Sequence, residues 1–309
     1  MDNEFLLYDR LEKIRSTIKE YGEKNFCISF SGGKDSCVLS ALIDEALPGN
    51  EIPRVYANTG IEYNAMVSFV RDLKNDDDRI QIIEPSVPIK PMLEKEGYPF
   101  KSKWHSQRVA EYQRAYKFTP TTAVYARRAT KEKLRNDRLC PKCLLHQFKP
   151  EYDLKISDNC CFYLKEEPLL RWQMEHRKEW AITGIMQEEG GRRERAKCIA
   201  FARTRGKLNK FNPLSVATKE WENWYLGTRA IKLCSLYYPP FSFARTGCKG
   251  CPFNIQLQQY LDMLACYFPA ERRQCEYIWA PVYAEYRRLG YRLRKTDEGQ
   301  QIEWWEVTK

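Results

Sequence analysis

The chain has 309 residues, of which 43% are hydrophobic and 30% are charged, and its formal net charge is +10. This composition excludes a chain that is disordered throughout, because enough apolar residues are present to form a packed core. No apolar run approaches the roughly 20 residues that cross a bilayer, and the first residues lack the features of a signal peptide. We therefore expect a cytoplasmic protein with no membrane partner. The positive charge favours a polyanionic partner.

The first predicted elements are a helix over residues 4–22 and a strand over residues 26–30, and the sequence Ser31-Gly-Gly-Lys-Asp-Ser36 follows. A second helix is predicted directly after this segment. A buried strand that runs through paired glycines into a helix N-terminus builds an anion site, because the backbone can approach a phosphate and the first-turn amides point toward it. Hydroxyl groups and a lysine add donors and charge. The alternative is a glycine turn that binds no ligand.

Two more strands are predicted, one running into the loop at residues 58–60 and the other over residues 79–85. Helix-length segments separate the strands, which predicts parallel βαβ units and a doubly wound α/β fold with a mainly parallel sheet. In such sheets ligands bind beyond the carboxyl ends of the strands. We therefore expect Asn58, Thr59 and Gly60 to lie beside the predicted anion site. The same residues are also typical of an ordinary turn.

Residues 86–150 are predicted to form a basic insertion. Its aromatic and basic residues include Trp104, His105, Arg108, Arg127, Arg128, Lys131, Lys133, Arg135 and Arg138. Such a stretch could contact phosphate or nucleic acid, or it could be a solvated helix face. The insertion also contains the pair Cys140 and Cys143, whose spacing suggests zinc, a cluster or redox chemistry.

A fourth strand is predicted over residues 179–185 and contains Gly184 near its end. The following loop holds Arg192, Arg193 and Arg195 next to two glycines. An arginine-rich loop at the carboxyl end of a strand suits anion binding.

The chain has twelve cysteines, which in a reducing compartment suggest a metal or catalysis before disulfides. Adjacent Cys160 and Cys161 are followed far downstream by Cys248 and Cys251, and four thiolates suffice to hold an iron–sulfur cluster. Zinc bound by the same four and a set of reduced buried cysteines are the alternatives. Cys140 and Cys143 are a rival pair, since together with the downstream pair they would make a four-thiolate zinc site.

The loop Ser31-Gly-Gly-Lys-Asp-Ser36 resembles the pyrophosphate loop of the adenine nucleotide alpha-hydrolase superfamily, which includes N-type ATP pyrophosphatases, tRNA thiolases and phosphoadenylyl-sulfate reductases. The resemblance implies a HUP-type fold, ATP as ligand, Mg²⁺ at Asp35, and Lys34 and Asp35 as catalytic residues. The nucleotide-binding residues that it implies are Ser29, Phe30, Ser31, Gly32, Gly33, Lys34, Asp35, Ser36, Asn58, Thr59, Gly60, Gly184, Arg192 and Arg193.

The cysteine pattern resembles the cluster-binding signature of the iron–sulfur members of the phosphoadenylyl-sulfate (PAPS/APS) reductase-like family. Lys165 and the dipeptide Pro168-Leu169 match that family's pattern after its paired cysteines. The resemblance covers residues 24–255 and implies a [4Fe–4S] cluster with Lys165 close to it. The implied ligands are Cys160, Cys161, Cys248 and Cys251.

Two departures from those reductases shape the predicted function. The loop keeps the Gly-Gly-Lys-Asp core that sulfonucleotide reductases replace, so ATP cleaved between its α and β phosphates is the better-matched substrate. No cysteine follows Cys275, whereas those reductases carry a nucleophilic cysteine in a C-terminal motif. A complete ATP loop with such cysteines resembles the sulfur-transfer protein of DNA phosphorothioation systems and, in chemistry, the cluster-dependent tRNA thiolases.

We therefore predict an enzyme that adenylates an acceptor with release of pyrophosphate during iron–sulfur-dependent sulfur transfer. DNA or RNA is the candidate acceptor, and a cysteine desulfurase or a thiol is the candidate donor. One alternative is reduction of adenylyl sulfate or its 3′-phosphorylated form to sulfite, and another is a nucleic-acid-binding defence component that uses nucleotide as a switch. The predicted division of the chain is a nucleotide-binding domain over 1–235 and a helical segment over 236–309 that carries the Cys248–Cys251 turn.

Overall fold

The computed structural model describes residues 2–129, 139–191, 193–202 and 208–295. The chain forms two compact units, each built from two separate stretches. The first unit comprises Met1–Ser86 and Leu164–Thr246, and the second comprises Val87–Tyr163 and Gly247–Lys309. These two units are defined by how compactly each part of the chain packs. The predicted domain boundary at residue 235 is a separate statement and stays a prediction.

The first unit contains a six-stranded sheet with the order β3-β2-β1-β4-β6-β5. Its strands are β1 Phe26–Phe30, β2 Arg54–Ala57, β3 Ile80–Ile83, β4 Trp180–Ile182, β5 Ile199–Ala200 and β6 Asn209–Phe211. Every pair is parallel except β5 with β6, so the predicted doubly wound, mainly parallel α/β fold is confirmed. The apolar run of β1 places it at the centre of the sheet, where Phe26 and Ile28 are fully buried.

The longer helices of the first unit are α1 Asn3–Tyr21, α2 Lys34–Ala46, α3 Asn64–Asp76, α7 Glu167–Glu175 and α8 Lys219–Arg229. Helices α2, α3 and α7 lie between strands in the chain, whereas α1 precedes β1 and α8 follows β6. Helix α2 buries Val38, Leu39 and Leu42 completely, because these positions recur on one helical face. The first turn of α2 therefore lies at the carboxyl end of the central strand.

The second unit is mainly helical. Its longer helices are α4 Ile89–Glu96, α5 Lys103–Ala115, α6 Pro120–Tyr125, α9 Leu257–Tyr267 and α10 Pro269–Leu289. Helix α10 buries Trp279, Tyr283 and Tyr286 almost completely. None of the helices that the structure describes is both long enough and apolar enough to cross a membrane.

Candidate functional site

The loop between β1 and α2 has the backbone geometry of an anion site. Gly33 is the N-cap of α2 and no side chain caps that helix end. Gly32 has φ +69°, and a Cβ atom there would lie 2.6 Å from Met66 Sδ and 2.7 Å from Val70 Cγ2. Glycine is therefore required at this position for both its conformation and its lack of volume. In general, the amides at such a helix end can bind a phosphate.

The two serines of the loop bond to the loop itself. The Ser31 amide donates to Ser36 Oγ at 3.2 Å, and the Ser36 hydroxyl donates to the Gly33 carbonyl at 2.8 Å. Ser31 Oγ accepts from the Gly33 amide at 3.3 Å. Ser36 is buried while Ser31 is exposed. Ser36 thus holds the loop closed, and Ser31 is the serine that faces outward.

Tyr237 and Thr246 also reach the loop, and sequence reasoning did not find them. The Lys34 amide donates to the Tyr237 hydroxyl at 3.1 Å, and that hydroxyl lies 2.8 Å from Thr246 Oγ1. Lys34 Nζ lies 5.8 Å from the centroid of the Tyr237 ring. Burial raises the pKa of Tyr237, so the hydroxyl stays neutral and can accept the amide. One amide at the N-terminus of α2, that of Lys34, therefore already has a hydrogen-bond acceptor.

Asp35 belongs to a group of three charged side chains, of which Lys219 and Glu222 were also missed. Lys219 Nζ lies 2.9 Å from Asp35 Oδ1 and 3.1 Å from Glu222 Oε2. Burial raises the pKa of Glu222 to about 7, and the neighbouring Asp35 carboxylate adds to the effect. Burial would also raise the pKa of Asp35, but hydrogen bonds with Glu222 and Lys219 and the positive charges of Lys219 and Arg245 lower it. Any shared proton therefore resides on the more deeply buried Glu222.

The residues Asn58, Thr59 and Gly60 follow the carboxyl end of β2, as predicted. The Thr59 amide donates to Glu62 Oε2 at 2.9 Å, and the Thr59 hydroxyl also bonds to Glu62. Asn58 accepts from the Gly60 amide at 3.4 Å. Glu62 is buried, and its second oxygen lies 3.3 Å from Lys165 Nζ. These bonds fix the loop, and the ion pair joins Lys165 to it through Glu62.

Gly184 lies against the phosphate loop, because a Cβ atom there would come within 2.9 Å of the Asp35 carbonyl oxygen. Among the described residues of the arginine loop, Arg193 has a partner on its own loop. Arg193 forms an ion pair with Glu189, which Arg245 also approaches at 3.5 Å. Arg192 lies outside the described residues, as do Lys131, Lys133, Arg135 and Arg138 of the basic insertion.

The basic insertion does not present all its predicted residues to a partner. His105 is completely buried, and Arg108 is almost so. The imidazole of His105 contacts the Tyr125 hydroxyl at 2.9 Å and Gln147 Oε1 at 2.6 Å. Burial lowers the pKa of His105 to about 3, so the ring is neutral. Both predicted roles of this stretch, contact with phosphate or nucleic acid and a solvated helix face, need exposed side chains, so neither applies to these two residues: His105 packs among aromatic rings, and Arg108 is buried beside Trp104.

The four cysteines predicted to bind a cluster lie together in the second unit. A hydrogen bond with Cys161, burial, and the charges of Cys161, Cys251 and Cys248 all raise the pKa of Cys160. Cys160 is buried, while the other three are partly exposed. Among the described residues no three or more His, Cys, Asp or Glu side chains are grouped as ligands of one metal ion. The donor set fits a cluster better than a single ion, because each thiolate of a [4Fe–4S] cluster binds a different iron.

Helix α10 holds the Cys248–Cys251 turn in place. The Cys251 amide donates to the Cys248 carbonyl at 3.2 Å, and Gly250 has φ +64°. The Tyr283 hydroxyl donates to the Gly250 carbonyl at 2.5 Å. A Cβ at Gly250 would lie 2.5 Å from that hydroxyl, so the turn needs glycine there. Contacts with α10 thus help to fix the conformation of the turn.

The rival pair has different neighbours. Cys140 is buried, whereas Cys143 is exposed. Burial raises the pKa of Cys140 to about 12, and the main charges that act on it come from Lys101, Cys143 and Arg127. Burial and a raised pKa are common to Cys140 and Cys160, so the assignment of the ligands to Cys160, Cys161, Cys248 and Cys251 stays a prediction.

Comparison with known protein families identifies one whose model matches most of this chain. A family model described as the phosphoadenosine phosphosulfate reductase domain matches residues 25–136 and 127–254. A search of curated proteins found no match.

Several solved structures are similar in part. Phosphoadenylyl-sulfate reductase from Candida auris is 14% identical, with 73% of this chain and 88% of that chain covered and a TM-score of 0.40. The U34-tRNA thiolase NcsA from Methanococcus maripaludis, solved with its [4Fe–4S] cluster, is 15% identical, with coverage of 96% and 84% and a TM-score of 0.39. The NH3-dependent NAD synthetase from Campylobacter jejuni is 13% identical, with coverage of 94% and 97% and a TM-score of 0.39. Similarity at this level does not assign a function.

Proposed function

The chain belongs to the phosphoadenosine phosphosulfate reductase domain family, and from that premise we propose that it is an ATP-dependent sulfur-transfer enzyme. In this proposal it binds ATP, adenylates an acceptor oxygen with release of pyrophosphate, and uses an iron–sulfur cluster in the sulfur transfer. The observation that carries the proposal is the loop from Ser31 to Ser36. It joins the carboxyl end of the central strand to a helix N-terminus and has Lys34 and Asp35 in the first turn.

The residues of the loop have separable roles in this reaction. The amides of the first turn of α2 and the outward-facing Ser31 hydroxyl would bind phosphate oxygens. Lys34 would neutralise charge on the departing pyrophosphate. The acceptor oxygen attacks the α-phosphorus, and the bond from that phosphorus to the oxygen bridging the α and β phosphates breaks. Its electrons leave with the pyrophosphate. Catalysis is then mainly positional and electrostatic.

Two absent groups fit the residues that would hold them. Asp35 offers the hard oxygen ligands that Mg²⁺ prefers, and the ion would supply further charge neutralisation at the phosphates. The four clustered thiols would hold a [4Fe–4S] cluster, which would supply the sulfur chemistry or an electrostatic field. Lys165 follows Cys161 by four residues and carries a positive charge that would offset the cluster's charge.

Reduction of a sulfonucleotide is the second candidate, because the matching family model is described by that activity. In this case adenylyl sulfate or its 3′-phosphorylated form would bind at the same loop and yield sulfite with a thiol as reductant. DNA or RNA remains the candidate acceptor for the first proposal, and a cysteine desulfurase or a thiol the candidate donor.

Anaerobically purified protein distinguishes these activities when it is given labelled ATP or labelled adenylyl sulfate, each with DNA and RNA. We expect pyrophosphate from ATP, and Lys34→Ala should slow its release by about 10²–10³-fold, as loss of one transition-state donor does. Lys19→Ala, on the exposed face of α1, is the control and should release pyrophosphate normally. Unchanged release in Lys34→Ala would refute the role of the loop, and sulfite release would establish the second candidate.

The cluster is tested separately by iron and sulfide content. Cys160→Ala and Cys248→Ala should lose the iron of anaerobic preparations, whereas Cys140→Ala should retain it. The opposite pattern would show a metal centre at the rival pair. Stoichiometric zinc without iron or sulfide would exclude the cluster.

A further inference from the structure

Lys219 and Glu222 lie on the first turn of α8, directed toward the phosphate loop. Helix α8 begins after Thr218, whose hydroxyl accepts from the Trp221 amide at 3.1 Å. Residues three apart share a helical face, so Lys219 and Glu222 point the same way. They meet Asp35, which belongs to the first turn of α2. Two helix N-termini thus bring one ammonium and two carboxylates together.

The charges of this group do not balance when both carboxylates are ionised. Lys219 supplies one positive charge against two negative ones, and Arg245, whose charge also acts on Asp35, forms an ion pair with Glu189. The side chain of Glu222 is 1% exposed, and its Oε1 atom is buried and accepts no hydrogen bond from the described donors. A buried carboxylate oxygen without a donor is costly, so it calls for a proton or a cation. The ion pair with Lys219 uses the other oxygen of this carboxylate, Oε2.

A shared proton alone would satisfy the group only in part. A proton would satisfy Glu222. Asp35 would still be negatively charged beside the loop, with only Lys219 to balance it, and a bound nucleotide would add further negative charge there. The Lys219 side chain is 44% exposed, so its flexible stem can move toward solvent. Carboxylate oxygens are the ligands that Mg²⁺ and Mn²⁺ accept. The ammonium therefore stands where a divalent cation would bind.

We propose that Glu222, together with Asp35, binds the divalent cation of the nucleotide, and that Lys219 occupies this cation site until the ion arrives. The proposal rests on the proposed function, because that function supplies the need for a cation beside the phosphates. It adds Glu222 as a ligand from a different helix. It also makes Lys219 a positioning residue that competes with the ion.

The test measures Mn²⁺ binding without nucleotide, from the electron paramagnetic resonance signal of free Mn²⁺ in mildly alkaline buffer. We expect Glu222→Gln to weaken Mn²⁺ binding by at least about 10–100-fold, because even the loss of a group that only supports a metal ligand has an effect of this size. Lys219→Met should tighten it, because the competing ammonium is gone. Glu220→Gln is the control, since Glu220 lies exposed on the same helix and should leave binding unchanged.

Two results would overturn the proposal. One is wild-type Mn²⁺ affinity in a folded Glu222→Gln protein, which would leave a shared proton as the role of the pair. The other is weaker binding in Lys219→Met, which decides the matter even if Glu222→Gln does not fold. Neither result depends on ATP, so failure here is distinguishable from failure of the pyrophosphate assay.

Discussion

Replacement of Gly32 by alanine tests whether the phosphate loop needs glycine for two separate reasons. Gly32 has φ +69°, which L-residues adopt with strain. The added Cβ would also come within 2.6 Å of Met66 Sδ and 2.7 Å of Val70 Cγ2. The methionine can change rotamer, but the branched side chain of Val70 is stiff about χ1. The clash with Val70 therefore has to be relieved by movement of the loop or of α3.

The free energy of unfolding should fall by the sum of these two effects. The left-handed conformation costs about 1–2 kcal/mol for a residue with a Cβ. Forcing a methyl group into packed surroundings costs about 1–3 kcal/mol more. We expect Gly32→Ala to lose about 2–5 kcal/mol, and to lose ATP binding because the loop backbone is displaced.

Gly49→Ala is the matched control. Gly49 has φ +75°, but a Cβ there would meet no atom within 4 Å. It should therefore lose only the conformational part, about 1–2 kcal/mol, and should keep ATP binding. Urea denaturation followed by tryptophan fluorescence gives both free energies, and titration with ATP gives the affinities.

A double variant separates the clash from the strain. Val70→Ala removes the atom that the new Cβ meets, so Gly32→Ala with Val70→Ala should be less destabilised than the sum of the single variants. Strict additivity, or equal losses in Gly32→Ala and Gly49→Ala, would refute the packing argument.

Two more predictions concern buried polar groups. The folded-state pKa of His105 is lowered to about 3 from 6.5; the wild-type fold therefore loses stability as pH falls through about 6.5, by about 2 kcal/mol at a pH near 5. His105→Gln has no such titrating group. The difference in free energy of unfolding between wild type and His105→Gln, measured by urea titration, should therefore shrink by that amount as the pH is lowered to near 5. A difference that does not change with pH would contradict the prediction. Tyr237→Phe removes the acceptor of the Lys34 amide, which should lower the free energy of unfolding by about 1 kcal/mol without nucleotide and tighten ATP binding in a calorimetric titration. Weaker ATP binding would show that the hydroxyl contacts the nucleotide instead.

Contiguous parts of the site could be predicted from the sequence, and parts assembled from distant segments could not. The segment from Ser31 to Ser36 carries its strand, glycines and helix start in one stretch, so its local geometry follows from local rules. Lys219 and Glu222 show only an ordinary helical spacing of charges. One available signal was the cap at Thr218, which starts a helix just beyond the carboxyl end of β6.

The misjudged residues share one cause. His105 and Arg108 were taken from a stretch in which basic and aromatic residues alternate, and such a stretch suits either a nucleic-acid surface or a core. The structure places Phe100, Tyr125 and Phe148 around His105. Two hydrogen bonds, to Tyr125 and Gln147, satisfy the ring in that core. Only tertiary packing distinguishes these outcomes, since the sequence does not show which aromatic rings surround the histidine.

The phosphate loop satisfies its own donors and charges through Tyr237, Ser36 and Lys219. A ligand at this loop must therefore replace existing contacts, and each exchanged hydrogen bond contributes only about 0.5–1.5 kcal/mol net. The number of hydrogen bonds to a phosphate then cannot account for tight binding. Charge has to supply the rest of the binding free energy, so Lys34→Ala should weaken nucleotide binding. Tyr237→Phe should strengthen nucleotide binding, and Lys219→Met should strengthen cation binding, because each removes a group that competes with the ligand. Effects of opposite sign from variants around one loop would be hard to obtain from loss of folding, because misfolding weakens binding in every variant.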